Sequence, residues 1–231
     1  MSFTLLRHWK DALPEMFSGE DDIYPSMKQI LTFITMLSVG LFFFPRAVLA
    51  ASIVDSYSET NITAGDYSTP SGGSSGQSFT ANISATLTSV QFALAKNGSP
   101  TGNVVAKIYS HTGTYGSTSQ RNTLLATSDT FDTSTIGTSY PTFTLTTFTF
   151  SGAQQISLVS GTYYTVDLDG TGHNCCDFRL GIDSTAQTHS GNPHDVNNTA
   201  YTSLDHVFYV YGDAVAAASA PPAPPALMWF F

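Results

Sequence analysis

The stretch Gly72-Gly73-Ser74-Ser75-Gly76 has the G-x-S-x-G spacing of a nucleophile elbow. An elbow exposes its serine hydroxyl on a strained turn between a strand and a helix. Here the match follows Ser68-Thr69-Pro70-Ser71, which reads as a turn, and only a short strand candidate comes after it. The stretch therefore reads as a loop. Asp167-Leu168-Asp169-Gly170-Thr171-Gly172 places oxygens at alternate positions, as the start of a calcium loop does, but the twelfth position, where a bidentate Glu belongs, is Phe178. An Asp-Gly turn closing a hairpin is the preferred reading. A structural calcium held by Asp167, Asp169 and backbone carbonyls is the alternative. In His173-Asn174-Cys175-Cys176-Asp177 the adjacent thiols point to opposite sides of an extended chain, which is poor geometry for one metal. Neighbouring Cα atoms lie about 3.8 Å apart, closer than the roughly 4.4 Å that disulfides want, so a bond between these cysteines is strained. Two loop cysteines are expected, with a strained vicinal disulfide as the alternative in an oxidising compartment.

Recognition chemistry is the other class these residues support. Thr188-His189-Ser190-Gly191-Asn192 lies in the long polar connection between Ile182 and Phe208, with His194 and Asp195 close behind. Such loops on a rigid scaffold concentrate binding residues. If Tyr164 and Val166 face inward, alternation turns Tyr163 outward, and it gives Tyr109 and Tyr209 or Tyr211 the same role. Sugar sites combine aromatic faces, which stack on ring C–H bonds, with planar polar groups that pair with hydroxyls. The candidate ligand-binding set is accordingly Tyr109, Tyr163, Arg179, His189, Asn192 and Tyr209. No catalytic set emerges. Glu59 is the one glutamate between Ala51 and Asp213, so a paired-carboxylate glycosidase would rest mainly on aspartates.

The elements that must hold these residues are short strands. Apolar residues alternate at Val90, Phe92 and Leu94, at Val104, Ala106 and Ile108, and at Tyr164, Val166 and Leu168. Phe178, Leu180 and Ile182 repeat the pattern, as do Phe208 and Val210, while Ile53–Tyr57, Gln77–Thr80 and Leu124–Phe131 are weaker candidates. Asn97-Gly98-Ser99-Pro100-Thr101-Gly102 is a turn, and Asp169-Gly170 is expected to end its strand. Between Thr142 and Phe150 the inward set runs Phe143, Leu145, then Phe148, Phe150; the slip at Thr146-Thr147 predicts a β-bulge. Strands separated by turn chemistry every ten or so residues predict an all-β, antiparallel two-sheet β-sandwich of jelly-roll type, with eight or nine strands.

Met27-Lys28-Gln29 opens a different segment, with a largely apolar run of 15 residues from Ile30 to Phe44, then Pro45-Arg46 and the small-residue end Ala47-Val48-Leu49-Ala50-Ala51. That is the layout of a signal peptide over 27–50 cleaved after Ala50, forming the one hydrophobic leader helix expected. Residues 1–26 read as an over-extended start or a short cytosolic extension; in the latter case Ile30–Phe44 is a retained anchor. A β-sandwich domain is expected over 51–213 and an Ala/Pro-rich tail over 214–231, where Pro221-Pro222-Ala223-Pro224-Pro225 is a stiff linker and Ala226–Phe231 is apolar. Contact with a membrane is expected through leader or tail alone. Between Ala51 and Asp213, four basic and twelve acidic residues leave a net charge of −8, which repels phosphate backbones and argues against nucleic acid as a partner. The formal glycosylation acceptors at Asn61, Asn82, Asn97 and Asn197 mark surface segments.

The runs Ser78-Phe79-Thr80, Leu87-Thr88-Ser89-Val90-Gln91-Phe92, Gly98–Val104 and Ala106-Lys107-Ile108-Tyr109 resemble a family of secreted bacterial surface modules, the "choice-of-anchor" β-sandwich domains. Leu125-Ala126-Thr127-Ser128, Phe148–Gly152, Gly161-Thr162-Tyr163-Tyr164 and Thr188–Asn192 continue the resemblance over about residues 52–212. It implies a β-sandwich ectodomain outside the cytoplasm and transfers no catalytic residue. The chain departs from the pattern in lacking an LPxTG motif and an apolar segment followed by basic residues. The expected function is non-enzymatic recognition at a cell surface, with an extracellular glycan or surface polymer as partner and no cofactor beyond that calcium. A structural or adhesive surface protein is the alternative, and an accessory domain of a secreted hydrolase the third.

Overall fold

A computed structural model describes residues 51–66, 73–173, 178–185 and 187–215. The leader, the segment before it, the tail beyond residue 215 and the Cys175-Cys176 pair lie outside the described residues. The chain order is β1 (Ser52–Tyr57), β2 (Ala64–Asp66), β3 (Ser74–Thr80), β4 (Ala85–Lys96), β5 (Gly102–Thr112), β6 (Gln120–Thr127) and β7 (Phe131–Asp132). It continues with β8 (Thr144–Thr149), β9 (Ser157–Leu158), β10 (Tyr163–His173), β11 (Phe178–Asp183), β12 (Pro193–His194), β13 (Asp205–His206) and β14 (Phe208–Ala214). The described residues contain no α-helix, only three single turns of 3-10 helix. None of their helices is long and apolar enough to cross a membrane.

Two antiparallel sheets pack face to face as a sandwich. An eight-stranded sheet runs β1-β14-β4-β11-β13, with β8 and β9 paired to β4 and β2 paired to β11. A six-stranded sheet runs β12-β3-β10-β5-β6, with β7 paired to β5. The alternation read from sequence sets which faces meet. Val90, Phe92, Leu94, Phe208 and Val210 from one sheet join Phe79, Val104, Ala106, Ile108, Tyr164, Val166 and Leu168 from the other in one buried cluster. Phenylalanines link the layers: Phe79 lies 6.2 Å from Phe208, and Phe131 lies 5.5 Å from Phe148, between ring centroids. Burying each such ring contributes roughly 1.5–3 kcal/mol. At one end the link is polar. Gln77 Nε2 donates to Asp205 Oδ1 (3.1 Å), and Gln77 Oε1 accepts from the His206 amide (3.0 Å).

Three local expectations are corrected. The bulge expected at Thr146-Thr147 is absent, because β8 pairs with β4 in unbroken register from Thr144↔Leu94 to Thr149↔Ser89. Thr146 is buried in phase with Phe148, while Leu145 is only half-buried, packed at the margin of the core. The phase slip occurs in β4 instead, where Tyr211 pairs with Ser89 and Gly212 with Leu87, leaving Thr88 between them. Asp169-Gly170 does not end its strand: β10 runs on to His173 across a register break between Asp169 and Gly172. Ser74 and Ser75 are not in a loop; they open β3 and are buried. A strand follows Ser74 where an elbow needs a helix.

Candidate functional site: the outer face of the six-stranded sheet

Because side chains alternate along a strand, the residues between the core positions of β10 and β5 share the sheet's outer face. Register places Thr165 opposite Tyr109 and Asp167 opposite Lys107, with Gly76 of β3 on the other flank of Asp167. This face carries an aromatic end and an ionic end.

Tyr163 forms the aromatic end and is 45 % exposed. The ring of Tyr115, from the turn between β5 and β6, stacks on it at 4.2 Å between centroids and 9° between planes. His111 meets both rings edge-on, 5.6 Å from Tyr163 and 5.9 Å from Tyr115. The Tyr115 hydroxyl lies 3.2 Å from Ser190 Oγ, so the long connection after β11 borders the platform. Burial pushes the Tyr115 phenol up, and burial together with the Asp167 charge does the same to Tyr109. Burial, with the nearby His194 adding to it, lowers His111. With the two phenols raised and the imidazole lowered, these side chains are uncharged at neutral pH.

The ionic end is buried beneath the same connection. Asp167 is 0 % exposed. Its Oδ2 accepts from Arg121 Nη1 (2.7 Å) and Ser74 Oγ (2.9 Å), and its Oδ1 accepts from His194 Nε2 (2.8 Å). Burial alone would raise this carboxyl; His194, Arg121 and Ser74 outweigh it and hold the group below the ordinary aspartate value. Arg121 also donates from Nη2 to the Val196 carbonyl (2.6 Å), and its amide donates to Asn198 Oδ1 (2.9 Å), which straps the connection onto β6. The close approach needs Gly76, since a Cβ there would meet both the Asp167 carboxylate and the Val166 carbonyl. Asp169 pairs with Lys107 and accepts from the Thr171 amide (2.9 Å). Both carboxylates considered for calcium thus already face cationic side chains, and among the described residues no group of three or more His, Cys, Asp or Glu is arranged to hold a metal.

Of the other residues singled out from sequence, Asn192 is fully buried and pins the connection. Its Oδ1 accepts from the Ser119 amide (3.2 Å) and its amide donates to Ser78 Oγ (2.8 Å). His189 packs inside against Tyr57 and Phe208, 3.5 Å from Asp55 Oδ2. Arg179 and Tyr209 belong to the eight-stranded sheet. Arg179 stacks over Tyr140 at 3.9 Å, and Tyr209 stacks on Tyr211 while donating to Glu59. The structure therefore gathers Tyr109 and Tyr163, sets Asn192 in support, and separates His189, Arg179 and Tyr209 from them. Sequence reasoning missed Tyr115, His111 and Arg121. Tyr115 sits in a turn between Gly113 and Gly116, where no alternation marks it; the one available signal was an aromatic ring in a turn otherwise built of small polar residues. No protein-family model matches this chain, and no curated protein matches it.

Proposed function

We propose that the chain is a non-enzymatic, extracellular recognition module that binds glycan across the tyrosine platform of the six-stranded sheet. One observation carries this reading: Tyr163, 45 % exposed, lies parallel to Tyr115 at 4.2 Å with His111 at the edge of both. A rigid, neutral aromatic surface bordered by hydroxyls suits the C–H faces and hydroxyl edges of sugar rings. The strand orders support a jelly-roll type of sandwich: β1-β14-β4-β8 faces β3-β10-β5-β6. Jelly rolls include lectin domains, an analogy of fold that adds weight without assigning a ligand. The leader, the acidic balance and the resemblance to choice-of-anchor ectodomains support a place outside the cytoplasm, at a bacterial surface. Ser74, the serine of the elbow-like match, donates its hydroxyl to Asp167 and also accepts from Arg121.

A glycan array probed with the purified protein tests the proposal. Binding to a restricted set of neutral glycans, lost in Tyr163→Ala and Tyr115→Ala, is expected. Silence across a broad array, together with concentration-dependent oligomers, would favour the structural or adhesive alternative instead.

A further inference from the structure

A separate cavity of about 250 Å³ lies where β12 and β13 meet the ends of β3 and β11. Ser75, Ile182, His194, Tyr201, Leu204 and His206 line it, with Asp195 at its side. At about 30 Å³ per water it has room for roughly eight waters, yet it is smaller than the roughly 300 Å³ lower bound of drug-sized sites.

His194 gives this cavity its chemistry. The residue is 0 % exposed, and its Nε2 is 2.8 Å from Asp167 Oδ1. An ionised carboxylate only accepts, so Nε2 carries a proton. The other ring nitrogen is Nδ1. That atom is buried and makes no hydrogen bond. Buried polar atoms without a partner are uncommon and call for an explanation. The Ser75 hydroxyl adds a second polar group to the lining, 3.4 Å from His206 Nε2 and from the His194 carbonyl. Ile182 and Leu204 supply apolar wall. A cationic ligand finds little here, because Asp195 is already engaged by the Tyr201 hydroxyl and by the amides of Asn197 and Thr199. A metal finds two imidazoles and no third ligand among the described residues.

We propose that this cavity is a second binding site, for a small neutral polyol the size of one sugar ring, with a ligand hydroxyl, which can donate or accept, hydrogen-bonded to His194 Nδ1. The site shares no lining residue with the tyrosine platform and stands whether or not that platform binds glycan.

Histidine-ring nitrogen NMR of the ¹⁵N-labelled protein, titrated with free monosaccharides and glycerol at millimolar concentration, tests it. The expected result is a shift of the His194 Nδ1 resonance toward the hydrogen-bonded value with at least one of these probes. Leu204→Trp, which fills the cavity, should abolish the shift, and Tyr163→Ala should leave it. Ser75→Ala keeps the volume and should weaken binding about fivefold, the equivalent of one hydrogen bond, which preserves the test if the tryptophan variant does not fold. Absence of any ring shift, or a shift unchanged in Leu204→Trp and Ser75→Ala, would overturn the proposal. Loss of the shift in Tyr163→Ala would place the ligand on the platform and overturn it too. So would a response to zinc but to none of the polyols.

Discussion

Asp167 stays ionised at 0 % exposure because two cation-capable side chains and a hydroxyl converge on its two oxygens. Removing one member of such a buried set leaves the others uncompensated, which costs far more than the intact set contributes. Asp167→Asn should therefore destabilise the protein by about 3 kcal/mol, read as a lowered urea midpoint at unchanged slope. The tyrosine platform makes the opposite prediction. Tyr163 is exposed and packs on Tyr115 rather than in the core, so Tyr163→Ala should cost about 1 kcal/mol of stability or less. Tyr163→Phe keeps the stacking ring and should retain most glycan binding.

At the level of elements, β3 and β10 approach closely enough that Gly76 has no room for a side chain. Gly76→Ala should push Asp167 off its partners and cost about 1–3 kcal/mol as overpacking. In that variant amide hydrogen exchange should show the 193–198 segment opening earlier than in wild type, because Arg121 and His194 hold it to Asp167. Alternation made much of this architecture legible. Val90, Phe92 and Leu94, and Tyr164, Val166 and Leu168, fill the core as their spacing predicts, and the same rule turns Tyr163 outward. The rule failed where burial occurs on both faces. The connection after β11 covers the outer face of β10, so Asp167 and Asp169 lie in a strand that looks like a turn sequence, and Ser74-Ser75-Gly76 looks like a loop while pairing with it. Thr146 is buried and Leu145 only half-buried, which the apolar count alone misjudged. The platform was half legible, since Tyr115 reaches Tyr163 by a long-range contact that no local period encodes.

For the molecule as a whole, ionisation sets the pH range of stability. The folded values of Asp167 and Asp169 are depressed, although burial pushes each upward, because His194 and Arg121 hold one and Lys107 the other. Their stabilisation is full above the unfolded aspartate value of about 3.9 and is lost as pH falls through the lower folded values. His111, depressed by burial and by His194, contributes stability above its unfolded value of about 6.5 and loses it on acidification below that. Asp205 acts in the other direction, because burial raises it and protonation at acid pH relieves that cost. Thermal melts from pH 8 to pH 3 should therefore show a shallow decline below about pH 6.5 and a steeper one below about pH 4. A flat profile through pH 3 would contradict the buried ionic end.

The central claim, that the outer face of the six-stranded sheet binds glycan through its tyrosines, is tested most directly by calorimetric titration of one glycan into wild type, Tyr163→Ala and Tyr115→Ala. Stacking beyond simple burial amounts to about 0.5–1.5 kcal/mol per aromatic pair, so each variant should bind roughly two- to tenfold more weakly while its melting temperature stays close to wild type. Equal affinity in all three proteins would contradict the account.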